Sequence, residues 1–295
     1  MGTRVLRDFE YLKPISVDET VSLLERYGNE ASILAGGTDL LVSLKLLRIS
    51  PKYLIDITGI GELGGVTGGE NETRIGATTT IKELARSVLI YEKYTALGEA
   101  AQQMGTTQMR QVATIGGNLC RASAGADTAP PLLALKARAE IYRRTGGRTI
   151  PLAEFFIGPG QSALTPGEIL TAITIPAPAP HTGSSFIRIN GTVSELPQLS
   201  AAATVVTEND QCTSARIALG AVAPTPVRAR QAEKLLISKE LNREVVEAAA
   251  HKVTEEISPR TSFRSSADYR RDVAAVIVKR ALIKAYERSR GAPSG

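Results

Sequence analysis

The 295-residue sequence has no tryptophan, two cysteines and two histidines, and each shortage removes a class of chemistry. Cys120 and Cys212 stand far apart and neither belongs to a CxxC pair, which excludes a disulfide framework and a four-thiolate cluster held by this chain. His181 and His251 fall in no HxxxH or HExxH spacing, and a zinc or copper centre built mostly from carboxylates is uncommon, so metal catalysis is not expected here. Aromatic residues make up 4% of the chain, too few for the stacking platforms that hold single-stranded nucleic acid. No apolar run approaches the about 18 residues of a membrane span. The start, MGTRVLRD, lacks the apolar core of a signal peptide, and its sixth residue is Leu6 where a myristoylation signal needs Ser or Thr. The cytoplasm is therefore the expected compartment.

What is present is the composition of a folded protein, 43% hydrophobic and 22% charged, in a chain long enough for two domains, or three if one is subdivided. The net charge of +5 comes from 35 basic and 30 acidic residues. Residues 264–290 alone hold eight basic against three acidic side chains, the pattern of a solvated helical face or a docking surface rather than of a DNA reader.

Local signals give the organisation. Ser16-Val17-Asp18-Glu19 and Thr80-Ile81-Lys82-Glu83 both have the capping-box spacing that opens a helix, and Gly28 is placed to stop the first one. A strand at Ser32–Leu34 runs into Ala35-Gly36-Gly37, a leucine-rich helix spans Asp39 to about Arg48, and Tyr53–Ile57 alternates as a strand. Leu97, Ala101 and Met104 mark a further helix, and Pro130-Pro131 suit a first helical turn. The proline-punctuated stretch Ile175–His181 is the best linker, after which Thr213–Val222 reads as a strand and three helical segments fill Val227–Arg290, the last the longest. The expected class is α+β: a domain at 1–178 with subdomains at about 1–57 and 58–178, a smaller α+β domain at 179–290, and a tail at 291–295.

Three glycine motifs compete for attention. Gly59-Ile60-Gly61-Glu62-Leu63-Gly64 satisfies GxGxxG, yet more turn material follows, whereas a dinucleotide site of that type needs a helix opening directly on the glycines. The motif is read as a connection between strands. Ala35-Gly36-Gly37-Thr38-Asp39 and Thr114-Ile115-Gly116-Gly117-Asn118 differ from it, each following an apolar stretch with two adjacent glycines and then a polar residue. Read as turns, both let backbone N–H groups point at an anion without Cβ interference, and two together can clamp a diphosphate. Neither contains the lysine of a phosphoryl-transfer loop. Either one alone is also consistent with an ordinary tight turn.

These segments, Ile33–Leu41, Arg74-Ile75-Gly76-Ala77 and Ala113–Leu119 through Asp127, Pro130 and Leu132–Leu135, resemble the FAD-binding medium subunit of molybdenum hydroxylases. Carbon monoxide dehydrogenase medium subunits and the flavin domain of xanthine dehydrogenase are familiar members. Ile217–Ala229 and Ser266–Arg271 resemble that family's C-terminal domain, so the likeness runs through nearly the whole chain. It implies two subdomains holding FAD between them, of the vanillyl-alcohol-oxidase (PCMH) type, plus a C-terminal α+β domain of the CO dehydrogenase flavoprotein type. By position it implies that Ile33, Leu34, Ala35, Gly36, Gly37, Thr38, Asp39 and Leu40 form a first pyrophosphate loop, and Thr114, Ile115, Gly116, Gly117 and Asn118 a second. Asp127 would accept from cofactor hydroxyls, its alternative being an N-cap for the next helix; Met104, Leu164 and Arg188 match flavin- or ribityl-facing positions, with core packing and a solvated surface as their alternatives.

The resemblance further implies an electron-transfer role in which a large subunit carries the molybdenum cofactor, a small subunit carries two 2Fe-2S clusters, and FAD passes electrons to an external acceptor, in a heterohexamer that is a dimer of heterotrimers. No side chain is singled out as a catalytic acid or base. The alternatives are a self-contained FAD-dependent reductase of the same superfamily and an assembly subunit without FAD. Three departures stand out: Asn190–Glu195 replaces a basic cluster, Ser123-Ala124 replaces Asp-Pro, and Ser262-Phe263 replaces an Asp-containing pair, the last expected to affect packing rather than chemistry. The cysteine-rich insertion of the benzoyl-CoA-type branch is absent.

Overall fold

Three principal sheets, each with its own helices, make up the computed structural model, which describes residues 6–192 and 195–291. The first is a parallel sheet in which Tyr53–Asp56 lies between Glu10–Leu12 and Ala31–Leu34. The helix Val17–Tyr27 crosses over it, burying Val17 and Val21 against Ile55, Ile57, Ile60 and Leu63. Its start agrees with the sequence signal, since Ser16 Oγ accepts from the Glu19 N–H at 3.1 Å. The returning arm of the box is shifted by one residue, because Glu19 Oε2 accepts from the N–H of Ile15 rather than of Ser16. Gly28 stops the helix at φ +50°, donating its N–H to Leu24.

No α-helix opens on Gly59–Gly64. A short 3-10 turn, Gly61–Leu63, leads instead into the hairpin Val66–Gly68 and Glu72–Gly76. That hairpin begins an antiparallel five-stranded sheet in the order Val66–Gly68, Glu72–Gly76, Ile169–Pro176, Arg138–Tyr142, Arg148–Pro151. Helices Ile81–Arg86, Thr95–Gln103, Ile115–Cys120 and Ala129–Ala134 bury Ile81, Leu84, Leu97, Ile115, Leu119 and Leu132 in the core with Ile75 and Ile173 from the sheet. The capping box at Thr80 is complete in both directions.

The chain leaves this sheet at Pro176 and enters a four-stranded antiparallel sheet at Thr182. Its order is Thr182–Ile189, Leu199–Glu208, Gln211–Gly220, Val227–Arg228. Successive side chains of a strand point to opposite faces. Leu199, Ala201, Ala203 and Val205 accordingly pack with the helices Arg243–Lys252 and Ala267–Ser289, whereas Ala202, together with Ala218 and Phe186, joins the core beneath the five-stranded sheet. A sheet buried on both faces needs small residues where helices press close. At Gly183 an added Cβ would overlap the Ala285 carbonyl of the long helix.

The basic C-terminal segment is therefore not simply a solvated face. Arg270 is 5% exposed, and Lys284 and Arg288 both place a nitrogen 2.7 Å from Glu99 on the helix Thr95–Gln103. Burial alone would raise the Glu99 pKa, but hydrogen bonds from Arg288, Lys284 and the Phe186 N–H outweigh it and hold the carboxyl below its ordinary range. Of the expected tail at 291–295, only Gly291 falls within the described residues, and Val193 and Ser194 of the departure at Asn190–Glu195 also lie outside them. No helix among the described residues is long and apolar enough to cross a membrane.

Candidate functional site

The strand Ala31–Leu34 delivers Ala35-Gly36-Gly37-Thr38-Asp39 to the edge of the parallel sheet, and the helix Leu40–Lys45 carries the chain away. Both glycines are required, for different reasons. Gly37 sits at φ +68°, the left-handed region that L side chains rarely adopt, and a Cβ at Gly36 would overlap the Val112 carbonyl. Close approach thus fixes the loop against the segment that precedes the second double glycine. Among the described residues, the N–H groups of Gly36, Gly37, Thr38 and Asp39 reach no backbone acceptor. Consecutive free N–H groups in a glycine turn form a concavity of positive potential, suited to a phosphate. Ile33, Leu34 and Ala35 beside them are half-buried.

The second segment is a helix, which corrects the expectation of a turn. Thr114 is the N-cap of Ile115–Cys120, with its Oγ1 accepting from the Gly117 N–H at 3.1 Å. The Ile115 N–H donates to Thr79, that of Gly116 to Ala77 and that of Asn118 to Thr114. Every amide from 115 to 118 is thereby used within the protein. Gly116 is needed for packing, since an added Cβ would lie 2.6 Å from the Ala77 carbonyl oxygen. Arg121, just past the helix, ion-pairs with Asp39 of the first loop, so the two glycine segments are tied together by charge as well as by packing.

From here a chain of polar contacts leads inward. Asn118 Oδ1 accepts from the Thr128 hydroxyl at 2.6 Å. Next to Thr128, Asp127 is 2% exposed and does not cap the following helix, whose N-cap is Thr128. Arg188 Nε lies 2.9 Å from Asp127 Oδ1, and both side chains are buried, so the reading of Arg188 as a solvated residue is corrected. Beyond this ion pair, neither Asp127 Oδ1 nor Arg188 Nε has a hydrogen-bond partner among the described residues. Arg188 also donates to the Gln103 carbonyl at 3.0 Å and to that of Glu195. The first of these sits at the C-terminal end of Thr95–Gln103, where a cation is favoured. Burial pushes Asp127 up to about 6 although Arg188 pulls the other way. Ser200, the cross-strand partner of Arg188, has a buried hydroxyl with no hydrogen-bond partner among the described residues.

The structure thus ties Gly36–Asp39 to the flanks of Thr114–Asn118 through Val112 and Arg121, ties Asn118 to Thr128, and pairs Asp127, the residue before Thr128, with Arg188. Met104 closes the helix at Gln103, 9% exposed, and Leu164 packs half-buried just beyond the strand Gln161–Ser162, which adjoins the helix Ile115–Cys120. Sequence reasoning missed Ser200, Arg121 and Arg110, whose guanidinium donates to the carbonyls of Met104 and Gly105. None of them belongs to a motif, because each owes its place to a partner brought in by folding. A dinucleotide fits this inventory. Free amides await a diphosphate, a buried carboxylate and hydroxyl await polyol hydroxyls, and half-buried apolar side chains await a ring system.

Known proteins agree. The family described as the FAD binding domain in molybdopterin dehydrogenase matches residues 7–178, and the CO dehydrogenase flavoprotein C-terminal domain matches residues 193–285. The chain is 34% identical to the carbon monoxide dehydrogenase medium chain of Hydrogenophaga pseudoflava over 95% of this chain and 98% of that one. It is 32% identical to the xanthine dehydrogenase FAD-binding subunit of Escherichia coli O157:H7 over 93% and 95%. Among solved structures, the Hydrogenophaga pseudoflava carbon monoxide dehydrogenase chain superposes with a TM-score of 0.94 over 96% of this chain and 99% of that one, at 34% identity. Quinoline 2-oxidoreductase from Pseudomonas putida 86 gives 0.90 over 98% and 99%, at 28% identity.

Proposed function

Because this chain belongs to the family of FAD-binding medium subunits of molybdenum hydroxylases, a flavoprotein oxidoreductase component, we propose that it relays electrons between partner-borne centres and an external acceptor. The observation that carries the reading is the set of four free amides at Gly36–Asp39 together with the buried Asp127–Arg188 pair next to the Asn118–Thr128 contact. In this reading the amides of Gly36, Gly37, Thr38 and Asp39 hold the pyrophosphate. Thr114–Asn118 shapes the opposite wall through Cα surfaces and the Asn118 side-chain NH2. Asp127 accepts from cofactor hydroxyls, Arg188 steadies that carboxylate, and Ile33, Leu34, Ala35, Leu40, Met104 and Leu164 exclude water. Bound FAD supplies the redox chemistry; the protein supplies position and electrostatics.

The electrons come from 2Fe-2S clusters on a small partner subunit and, before them, from a molybdenum cofactor on a large one. The chain itself brings only Cys120 and Cys212, two thiols where a 2Fe-2S cluster of the ordinary kind takes four. We place the division of the chain at 178/179, the assembly as a dimer of heterotrimers, and the compartment as the cytoplasm. A self-contained reductase is disfavoured because residues 193–285 match the CO dehydrogenase flavoprotein C-terminal domain.

The test is a visible spectrum of the protein isolated with its natural partners, followed by heat release of the yellow cofactor and metal analysis. FAD together with molybdenum and iron supports the assignment. A colourless preparation that takes up no added FAD overturns it.

A further inference from the structure

The loop that precedes the long C-terminal helix carries an aromatic ring where solvent-exposed rings are costly. Phe263 is 90% exposed, with the Arg264 guanidinium carbon 4.5 Å from its ring centroid. The loop is not slack. Ser262 and Ser265 form a bridge, with the Ser262 N–H donating to the Ser265 carbonyl at 3.0 Å. The Arg264 N–H donates to Ser262 Oγ, and the Ala267 N–H to Thr261 Oγ1. Arg270 braces it from below, donating to Ser265 Oγ and Ser262 Oγ at 2.8 Å each and to the Ala221 carbonyl at 3.0 Å. Phe263 is therefore presented on a pre-organised turn, the arrangement in which an anchor loses least entropy on binding.

The electrostatics point the same way. All the acceptors of the buried Arg270 are neutral, and among the described residues no ion pair includes Arg260, Arg264 or Arg270. The three guanidiniums are close enough that, after burial, the fields of Arg260 and Arg264 are what draw the Arg270 pKa down. An exposed ring with Arg264 over it, beside two further arginines that pair with no carboxylate among the described residues, is the complement of an apolar pocket with an acidic rim. A free phosphate or polyanion would answer the charge but leave the ring in water. Buried aromatic and Arg anchors dominate protein interfaces.

We propose that the Phe263 turn is a docking knob for a partner protein of the complex, one whose matching surface is an apolar pocket edged by Asp or Glu. This rests on the subunit assignment made above. The experiment compares complexes containing the full-length chain as wild type, Phe263→Ser and the double variant Arg260→Glu with Arg264→Glu. It reads subunit association by native mass analysis across a dilution series, FAD content, and the melting temperature of each chain. Both variants are expected to keep FAD and the wild-type melting temperature while association weakens about 30-fold for Phe263→Ser, the range for an aromatic anchor. A photo-crosslinking phenylalanine analogue at position 263 is expected to capture a partner peptide rich in Asp and Glu, and it decides the matter should a variant fail to fold. Unchanged association in both variants, or crosslinking only to a second copy of this chain, overturns the inference while leaving the subunit assignment intact. A wild-type chain that brings down neither FAD nor a partner overturns both.

Discussion

Two segments of this chain are spelled almost alike, an apolar run followed by Gly-Gly and a polar residue, and folding puts them to different uses. At Gly36-Gly37 the chain turns through a left-handed residue and four amides stay free. At Gly116-Gly117 it enters a helix, and every amide is taken by Thr79, Ala77 or Thr114. The deciding residue stands two places ahead of the second pair, where Thr114 supplies a side-chain cap that Leu34, in the same place before the first pair, cannot. On the reading proposed above, the first binds the anion and the second serves as a wall. Substitution of one glycine at a time separates close packing from backbone freedom and from contact with a ligand.

The largest effect is expected from Gly36→Ala. The new Cβ would overlap the Val112 carbonyl, a backbone atom that cannot swing aside, and the loop and the segment ahead of the second helix would have to part. Overpacking against backbone costs on the order of 3 kcal/mol. A clear fall in the denaturant midpoint, together with loss of FAD, is the expected result; an unchanged midpoint would show that the two segments are not packed as described.

Asp127 comes next, paired with Arg188 and adjoining the Thr128 that bonds to Asn118. With its pKa at about 6 against 3.8 when free, its stabilising contribution to the folded chain is full below about pH 4 and is lost as pH rises through 6. Cofactor hydroxyls require the carboxylate, so FAD affinity should run the opposite way, falling about tenfold per pH unit below 6. Asp127→Asn should flatten both profiles, with FAD binding weakened at neutral pH. A binding curve for the unsubstituted protein that is flat between pH 5 and 7 would remove Asp127 from the cofactor site.

How much of this could be read from the chain follows from range. The helix starts at Ser16 and Thr80, the stop at Gly28 and the rejection of Gly59–Gly64 as a dinucleotide motif depend on neighbours within a few residues, and the structure agrees with them. The burial of Arg188 against Asp127, and of Arg288 against Glu99, depends on a sheet and a helix that meet only after folding, so composition alone made these side chains look solvated. The second glycine pair was misread for a subtler reason. Thr114 was visible, but Gly-Gly opposes helix by propensity, and only the cap and the contact with Ala77 override it.

Gly37→Ala and Gly117→Ala then form the finest comparison. Alanine at 37 must hold a left-handed conformation at about 1–2 kcal/mol, and its Cβ meets flexible Leu34 and Leu41 side chains at 3.2 Å, so a moderate loss of stability is expected. At 117 the smallest effect is expected. The new Cβ meets only Thr114 Oγ1, at 3.0 Å. The helix gains up to about 1 kcal/mol from replacing glycine, while crowding the cap returns part of that gain, so the melting temperature should hardly move. The informative quantity at 117 is FAD affinity, because nothing else within 4 Å occupies the space the methyl enters and the position is exposed. Weaker FAD binding at an unchanged melting temperature would place the cofactor against this wall. Unchanged binding would confine the second glycine pair to packing and leave the free amides of the first loop to hold the pyrophosphate without it.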